Sequence, residues 1–148
     1  MYVTSSSDGG KSFSAAVKAG RGSWQLDACP MDGGMLAAGL KGEVVTAWRR
    51  DEDVYWSKAD GTAEKLLGKG QQPWVASSPQ GPVVVWTNGR EGTLLMQTSS
   101  GARPVALAEQ ARDAVVAAGR SKKTPVICCW ESKQDGQTVV MAARLDTR

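Results

Sequence analysis

The sequence predicts an all-β fold built from repeated antiparallel modules, and three observations predict it. Seventeen glycines divide the 148 residues into short segments rich in Val, Ala and Leu, and tryptophans outnumber Phe and Tyr together. That composition favours many short strands over long helices. Three of the segments, Val-Val-Thr-Ala-Trp48, Val-Val-Val-Trp86 and Val-Ile-Cys-Cys-Trp130, end in tryptophan at spacings of 38 and 44 residues. The third observation is the loop Ser6-Ser7-Asp8-Gly9-Gly10-Lys11-Ser12-Phe13. There the Asp8 carboxylate can accept backbone N–H groups that a tight hairpin leaves unpaired, and Gly10 can take a positive φ. Ser6 and Ser12 add local hydrogen bonds, and Phe13 is expected to tuck its ring between neighbouring sheets.

Taken in order, residues 1–5 read as a strand entering that loop and residues 13–18 as the strand leaving it, ending at the turn Gly20-Arg21-Gly22. Residues 23–34 contain Pro30 and paired glycines and read as a loop. A set of four strands follows over residues 34–68: residues 35–40, 43–50, 54–57 and 64–67, with a polar turn at Asp51-Glu52-Asp53 and a degenerate copy of the first loop at Ser57-Lys58-Ala59-Asp60-Gly61. Residues 73–108 repeat the order with strands at 73–76, 81–86, 93–97 and 104–108, the third loop, Ser99-Ser100-Gly101, having lost its aspartate. Residues 113–145 begin the order again at 113–118, 125–130 and 138–142. The three tryptophans fall at the end of the second strand of each set, and their expected role is packing of large rings between modules.

The loop at residues 6–13 fits the pattern S-x-D-x-G-x-S-F and resembles the Asp box, the bacterial neuraminidase repeat of sialidase-like β-propellers. A module of roughly 40 to 50 residues also matches one four-stranded propeller blade. The resemblance implies a partial β-propeller of about three four-stranded antiparallel blades, half of a six-bladed ring, in which residues 1–19 supply the outer two strands of a further blade. Thirteen strands are too few for a closed ring of four to eight blades. Either the chain is part of a longer protein, or two copies form a homodimer that closes the ring. The segment Ala28-Cys29-Pro30-Met31-Asp32-Gly33-Gly34 also resembles a loop of bacterial sialidase-like proteins.

Several chemistries are excluded by composition. There is no histidine, which removes Ser-His and Cys-His nucleophilic catalysis and the commonest metal ligand. Cys128 and Cys129 are adjacent on a strand and face opposite ways, so they form no metal-ligand spacing; buried free thiols are expected, and a bridge from Cys29 to one of them stays open. No cofactor or metal is expected. The net charge of +3 is small, and the basic run Arg120-Ser121-Lys122-Lys123 reads as a solvated loop without the basic and stacking stripe of a nucleic-acid surface. Nothing near Met1 resembles a signal peptide, and no apolar run reaches membrane-spanning length. The compartment stays open, extracytoplasmic if the chain belongs to a longer exported protein.

With blade strands labelled A to D from the axis outward, the Asp box is a C–D loop, on the end opposite the D–A and B–C loops that surround a propeller's ligand site. Ser6, Asp8, Gly10 and Phe13 are therefore expected to be structural. Ligand-binding candidates are Asp27, Cys29, Met31 and Asp32 in the first D–A loop, and Gln71, Gln72 and Trp74 in the second. Arg112 and Asp113 stand in the third, with Arg49, Arg50, Asp51, Arg90 and Glu131 at the B–C turns. Arginines that grip a carboxylate, acids, and a tryptophan that stacks on an apolar sugar face suit a carbohydrate. The enzymes of the resembled family carry a tyrosine nucleophile, a glutamate, an aspartic acid/base and three arginines, the first in Arg-Ile-Pro. That motif is absent, and Tyr2 and Tyr55 lie in strands, so no catalytic residue is assigned. The expected role is a non-catalytic scaffold that binds glycan or protein. The alternatives are a sialidase-type glycoside hydrolase fragment completed by missing blades or a second chain, and a self-assembling half-propeller.

Overall fold

The computed structural model describes residues 1–25, 34–101 and 103–147. Among them the chain forms twelve strands and no helix: β1 (Tyr2–Val3), β2 (Val17–Lys18), β3 (Met35–Ala38), β4 (Val44–Arg50), β5 (Asp53–Lys58), β6 (Lys65–Lys69), β7 (Gln71–Ser78), β8 (Gly81–Thr87), β9 (Gly92–Thr98), β10 (Val105–Ala118), β11 (Val126–Gln134) and β12 (Gln137–Leu145). The all-β class is therefore observed directly, and no helix of the described residues is long and apolar enough to cross a membrane.

Every strand pairs antiparallel with its chain neighbour within three sheets, β1-β2, β3-β4-β5-β6 and β7-β8-β9-β10-β11-β12. Local chemistry sets the turns. Asp135 and Gly136, with φ of 50° and 77°, form the two-residue connection between β11 and β12, the left-handed pair that a tight hairpin requires. The Ser78 hydroxyl donates to the Gly81 carbonyl at 2.8 Å and closes the β7–β8 turn. The six-stranded sheet curls into a half-barrel, bringing β10 back beside β7.

One expected boundary is corrected. Residues 104–108 and 113–118 were expected as two strands joined by a loop at Arg112, but β10 runs unbroken through both. Its first half pairs with β9 and its second with β11, and Ala111 has a partner on each side, Gly92 and Ser132. An extended chain that changes partner in this way needs local irregularity. Gln110 and Asp113 supply it, with φ of 52° and 51°, and the register with β11 shifts between Arg112 and Val115.

The β6–β7 junction is built the same way. Only Gly70 separates the two strands, Gln72 has a φ of 53°, and the register shifts between Gln71 and Trp74. Gln71 lies opposite Thr87 and Arg112 opposite Glu131, each the residue after a tryptophan. The tryptophans keep register on their other side too, with Trp48 opposite Tyr55, Trp86 opposite Leu95 and Trp130 opposite Met141.

The core has two parts, one where the four- and six-stranded sheets meet and one within the curl of the six-stranded sheet. Val45, Ala47, Val54 and Leu67 of the four-stranded sheet pack with Val75, Val84 and Trp86, while Val83 and Val85 join Ala114, Val116, Cys128, Trp130 and Leu145 on the other side. Successive residues of β8 thus enter opposite clusters, which explains the unbroken apolar run Val83-Val84-Val85-Trp86. Trp86 is fully buried and its Nε1 donates to the Lys69 carbonyl at 3.2 Å. Its ring covers Gly70, where an added Cβ would come within 2.4 Å of the Thr87 carbonyl oxygen and 2.5 Å of Trp86 Cδ1. Trp48 sits in the same way over Gly20 and stacks on Tyr55 with centroids 6.0 Å apart.

Trp86→Ala is expected to cost about 3–5 kcal/mol, read by urea denaturation, because it opens a cavity between two sheets. Gly70→Ala is expected to destabilise strongly. Gly89→Ala, at a position with open space around it and no positive φ, is expected to be near neutral in the same assay.

Candidate functional site

The loop at residues 6–13 is organised by one carboxylate. Asp8 Oδ1 accepts the Lys11 and Ser12 amides, each at 3.0 Å, and the Ser6 hydroxyl at 2.8 Å, while Oδ2 accepts the Ser12 hydroxyl at 2.6 Å. The Ser6 oxygen in turn accepts the Gly10 amide at 2.8 Å, and Gly9 and Gly10 both have positive φ. Hydrogen bonds from the Ser12 hydroxyl and amide, and then from the Ser6 hydroxyl, hold the Asp8 carboxyl well below the usual carboxylate range. Phe13 departs from expectation: its ring is 66% exposed, because the β1–β2 ribbon is only two residue pairs long and places it against no sheet among the described residues. In the degenerate loop between β5 and β6, Asp60 Oδ1 accepts the Thr62 amide and hydroxyl at 2.9 and 2.6 Å, so the acid keeps a turn-forming role despite its shifted position.

The opposite end carries the β4–β5, β8–β9 and β11–β12 turns together with the β6–β7 junction and the bend of β10. Here Gln72, Arg112, Asp113 and Glu131 come together. The two residues at equivalent bulges bond each other: Gln72 Nε2 donates to Asp113 Oδ1 at 3.0 Å, and the Asp113 amide donates to Gln72 Oε1 at 3.4 Å. Next to them, Arg112 Nη2 lies 2.8 Å from Glu131 Oε2, with Nε on the same oxygen at 3.0 Å. Glu91 stands 3.7 Å from Arg112 and 3.3 Å from Lys133. Arg112 Nη2 also donates to the Thr138 hydroxyl at 3.3 Å. This network adds side-chain links across the bend of β10 to the backbone pairing of β9, β10 and β11.

Arg49 and Arg50 diverge, as neighbours on a strand must. Arg50 points into the seam under the N-terminal segment, where its guanidinium lies 3.8 Å from the Tyr55 ring centroid and 2.9 Å from Glu64. Glu64, with 11% of its side chain exposed, also accepts the Arg21 amide. Burial pushes its carboxyl up, but the hydrogen bonds from Arg50 and Arg21 outweigh that and leave it below its ordinary value. Arg49 instead reaches toward Trp24, 5.5 Å from the ring centroid, and its Nε donates to the Asp51 carbonyl.

Trp74 packs partly buried against the larger core cluster, and Arg90 is exposed in the β8–β9 turn. Asp27, Cys29, Met31 and Asp32 lie outside the described residues. Cys128 is a buried free thiol, pushed up to about 12 by burial and then by the charge of Cys129. Among the described residues no group of His, Cys, Asp or Glu is arranged to hold a metal ion.

Two clefts open on this end, one at each strand junction. The first, of about 280 Å³, is lined by Arg49, Glu52, Lys69, Gly70, Gln71, Asn88 and Gly89. The second, of about 130 Å³, is lined by Glu91, Gln110, Arg112, Ser132 and Lys133. Glu52, Lys69, Asn88, Glu91 and Lys133 were not singled out from the sequence, although four of the five sit within the turns that were; Lys69 alone signals its place, between two glycines. Searches against known proteins matched no protein-family model and no curated protein sequence.

Asp8 and Glu64 have depressed values in the folded chain, so what they contribute is present above the ordinary carboxylate range of about 4 and is lost as pH falls through their folded values. Stability is expected to decline on the acid side. Glu64→Gln should flatten that decline and remove on the order of 2 kcal/mol at neutral pH. Asp8→Asn should instead speed hydrogen exchange of the Lys11 and Ser12 amides, followed by NMR.

Proposed function

We propose that this chain is a non-catalytic, propeller-like scaffold, about three four-stranded blades arranged round an axis, which binds a carbohydrate or protein at the end bearing its tight turns and strand junctions. The observation that carries this reading is the repeat in register. Gln72 and Asp113 occupy equivalent bulges two residues before Trp74 and Val115, touch each other, and lie on strands paired with β8 and β11, which carry the equivalent Trp86 and Trp130. The two bulges stand 41 residues apart, the length of one blade repeat. The resemblance of residues 6–13 to an Asp box, with its aspartate accepting hydrogen bonds from both flanks of the loop, supports the same assignment.

The non-catalytic part follows from where the chemical groups are spent. Arg112 is neutralised by Glu131 and Glu91, Arg50 by Glu64, and Tyr55 is stacked between Trp48 and the Arg50 guanidinium. A hydrolase of the sialidase type needs a tyrosine and an acid converging on open solvent. Tyr55 does not meet that requirement, because it is packed against Trp48 and the Arg50 guanidinium.

The chain is expected to release no fluorophore from a fluorogenic sialoside and to retain partners on an immobilised glycan array or in a protein pull-down. NMR shift changes should be confined to the turns around residues 49–52, 88–91 and 131–135. Sialoside turnover by the chain alone would sink the non-catalytic reading, and shift changes centred on residues 6–13 would sink the choice of end.

A further inference from the structure

Three equivalent positions in the repeats differ in what covers them. Val54, Leu94 and Val140 lie opposite Arg49, Thr87 and Glu131, the residues that follow Trp48, Trp86 and Trp130. Val54 and Leu94 are fully buried in clusters to which the next unit contributes, whereas Val140 is 75% exposed. It stands on a face shared with Val115, Ala117, Ile127, Cys129 and Ala142, because Val116, Cys128 and Met141, their neighbours along the same strands, fill the core behind. All six are at least partly open to solvent.

The first unit, β3–β6, has the converse gap. Leu36, Val75 and Val116 lie opposite Thr46, Val84 and Cys128, each two residues before a repeat tryptophan. Val75 and Val116 are buried against the preceding unit, and Leu36 is 56% exposed.

We propose that these two open faces meet between copies of the chain. The third unit, formed by the second half of β10 with β11 and β12, seats its Val140 face against Leu36 and the β1–β2 ribbon of a second copy, and the same joint made in the other direction closes a head-to-tail homodimer. The proposal rests on the reading of the chain as successive units round an axis. A second copy is the occupant because both internal joints cover a face of the Val140 kind with a face of the Leu36 kind, and this chain leaves one of each open.

The sheet edges point the same way. β5 and β9 each have a fourth strand outside them, β6 and the first half of β10, whereas β12 pairs on one side alone and the β1–β2 ribbon borders no other strand among the described residues. Laid beside β12 of its partner, the ribbon covers an open edge, and its exposed Tyr2 and Phe13 come next to a sheet.

The test is sedimentation equilibrium, with light scattering, on the 148-residue chain across the micromolar range. A particle of twice the 15.6 kDa chain mass is expected. Val140→Lys and Leu36→Lys should each weaken association about tenfold or more, since each places a charge in an apolar joint. Mixed together, the two variants should associate again, through the one joint whose faces are both unaltered. Val105→Lys, at an exposed valine of the second unit, should leave the dimer intact. All three positions are exposed, and an unchanged circular dichroism spectrum shows that each variant is folded.

A monomer throughout that range overturns the proposal; if the monomer still binds a partner at the turn end, the binding reading stands, and if it binds nothing there, both fall. Loss of the dimer in Val140→Lys but not in Leu36→Lys puts two copies of β12 against each other and overturns the head-to-tail joint. Indifference to both variants, or particles that grow beyond two copies with concentration, overturns it as well.

Discussion

The packing of a tryptophan ring over a glycine on the preceding unit is the contact on which the rest of the structure depends. Trp86 fills the space above Gly70 and donates its indole N–H to the adjacent Lys69 carbonyl, fixing both the distance between sheets and the level at which they meet. Neither partner can change alone. A smaller ring leaves a void in a closely packed interior, and any side chain at residue 70 would collide with the ring and with a strand backbone. Trp48 also lies against Gly20, beside the Glu64 carboxylate, so the joint between the N-terminal segment and the four-stranded sheet likewise leaves no room for a side chain there.

Given those joints, the chain must pass from one unit to the next within a few residues, and it does so without leaving the extended conformation. The cost appears as positive φ at Gln72, Gln110 and Asp113, three residues that disfavour it. Two of them recover part of that cost by bonding each other, which turns a backbone irregularity into a link between units. The charged network around Arg112 extends the link to β12. Acids and arginines at a strand end here act as mortar between neighbouring strands.

Much of this was legible in the sequence, and the illegible parts have specific causes. Strand positions followed from glycine punctuation and from valine runs, and the Trp48, Trp86 and Trp130 spacing located equivalent strands because all three rings are buried and a site of that size accepts few other side chains. The hydrogen bonds of Asp8 were readable because each is local, spanning four residues or fewer. The continuity of β10 was hidden by Glu109-Gln110-Ala111-Arg112-Asp113, a polar stretch with the composition of a loop, which stays extended because partners on both sides hold it. Phe13 was misjudged because ring burial depends on what lies beyond the loop. The pairing of Arg50 with Glu64 and of Arg112 with Glu131 depends on register and strand face, which no spacing along the chain encodes.

The sheets have one further property in common: among the described residues, each strand hydrogen-bonds only to a strand immediately before or after it in the chain. A polypeptide emerging from a ribosome therefore never has to hold an unfinished strand in reserve for a partner that has yet to be synthesised, beyond the length of the next hairpin. Order of translation and order of assembly coincide, so growth of such a protein by copying one segment of its gene would add a piece that already knows where to attach.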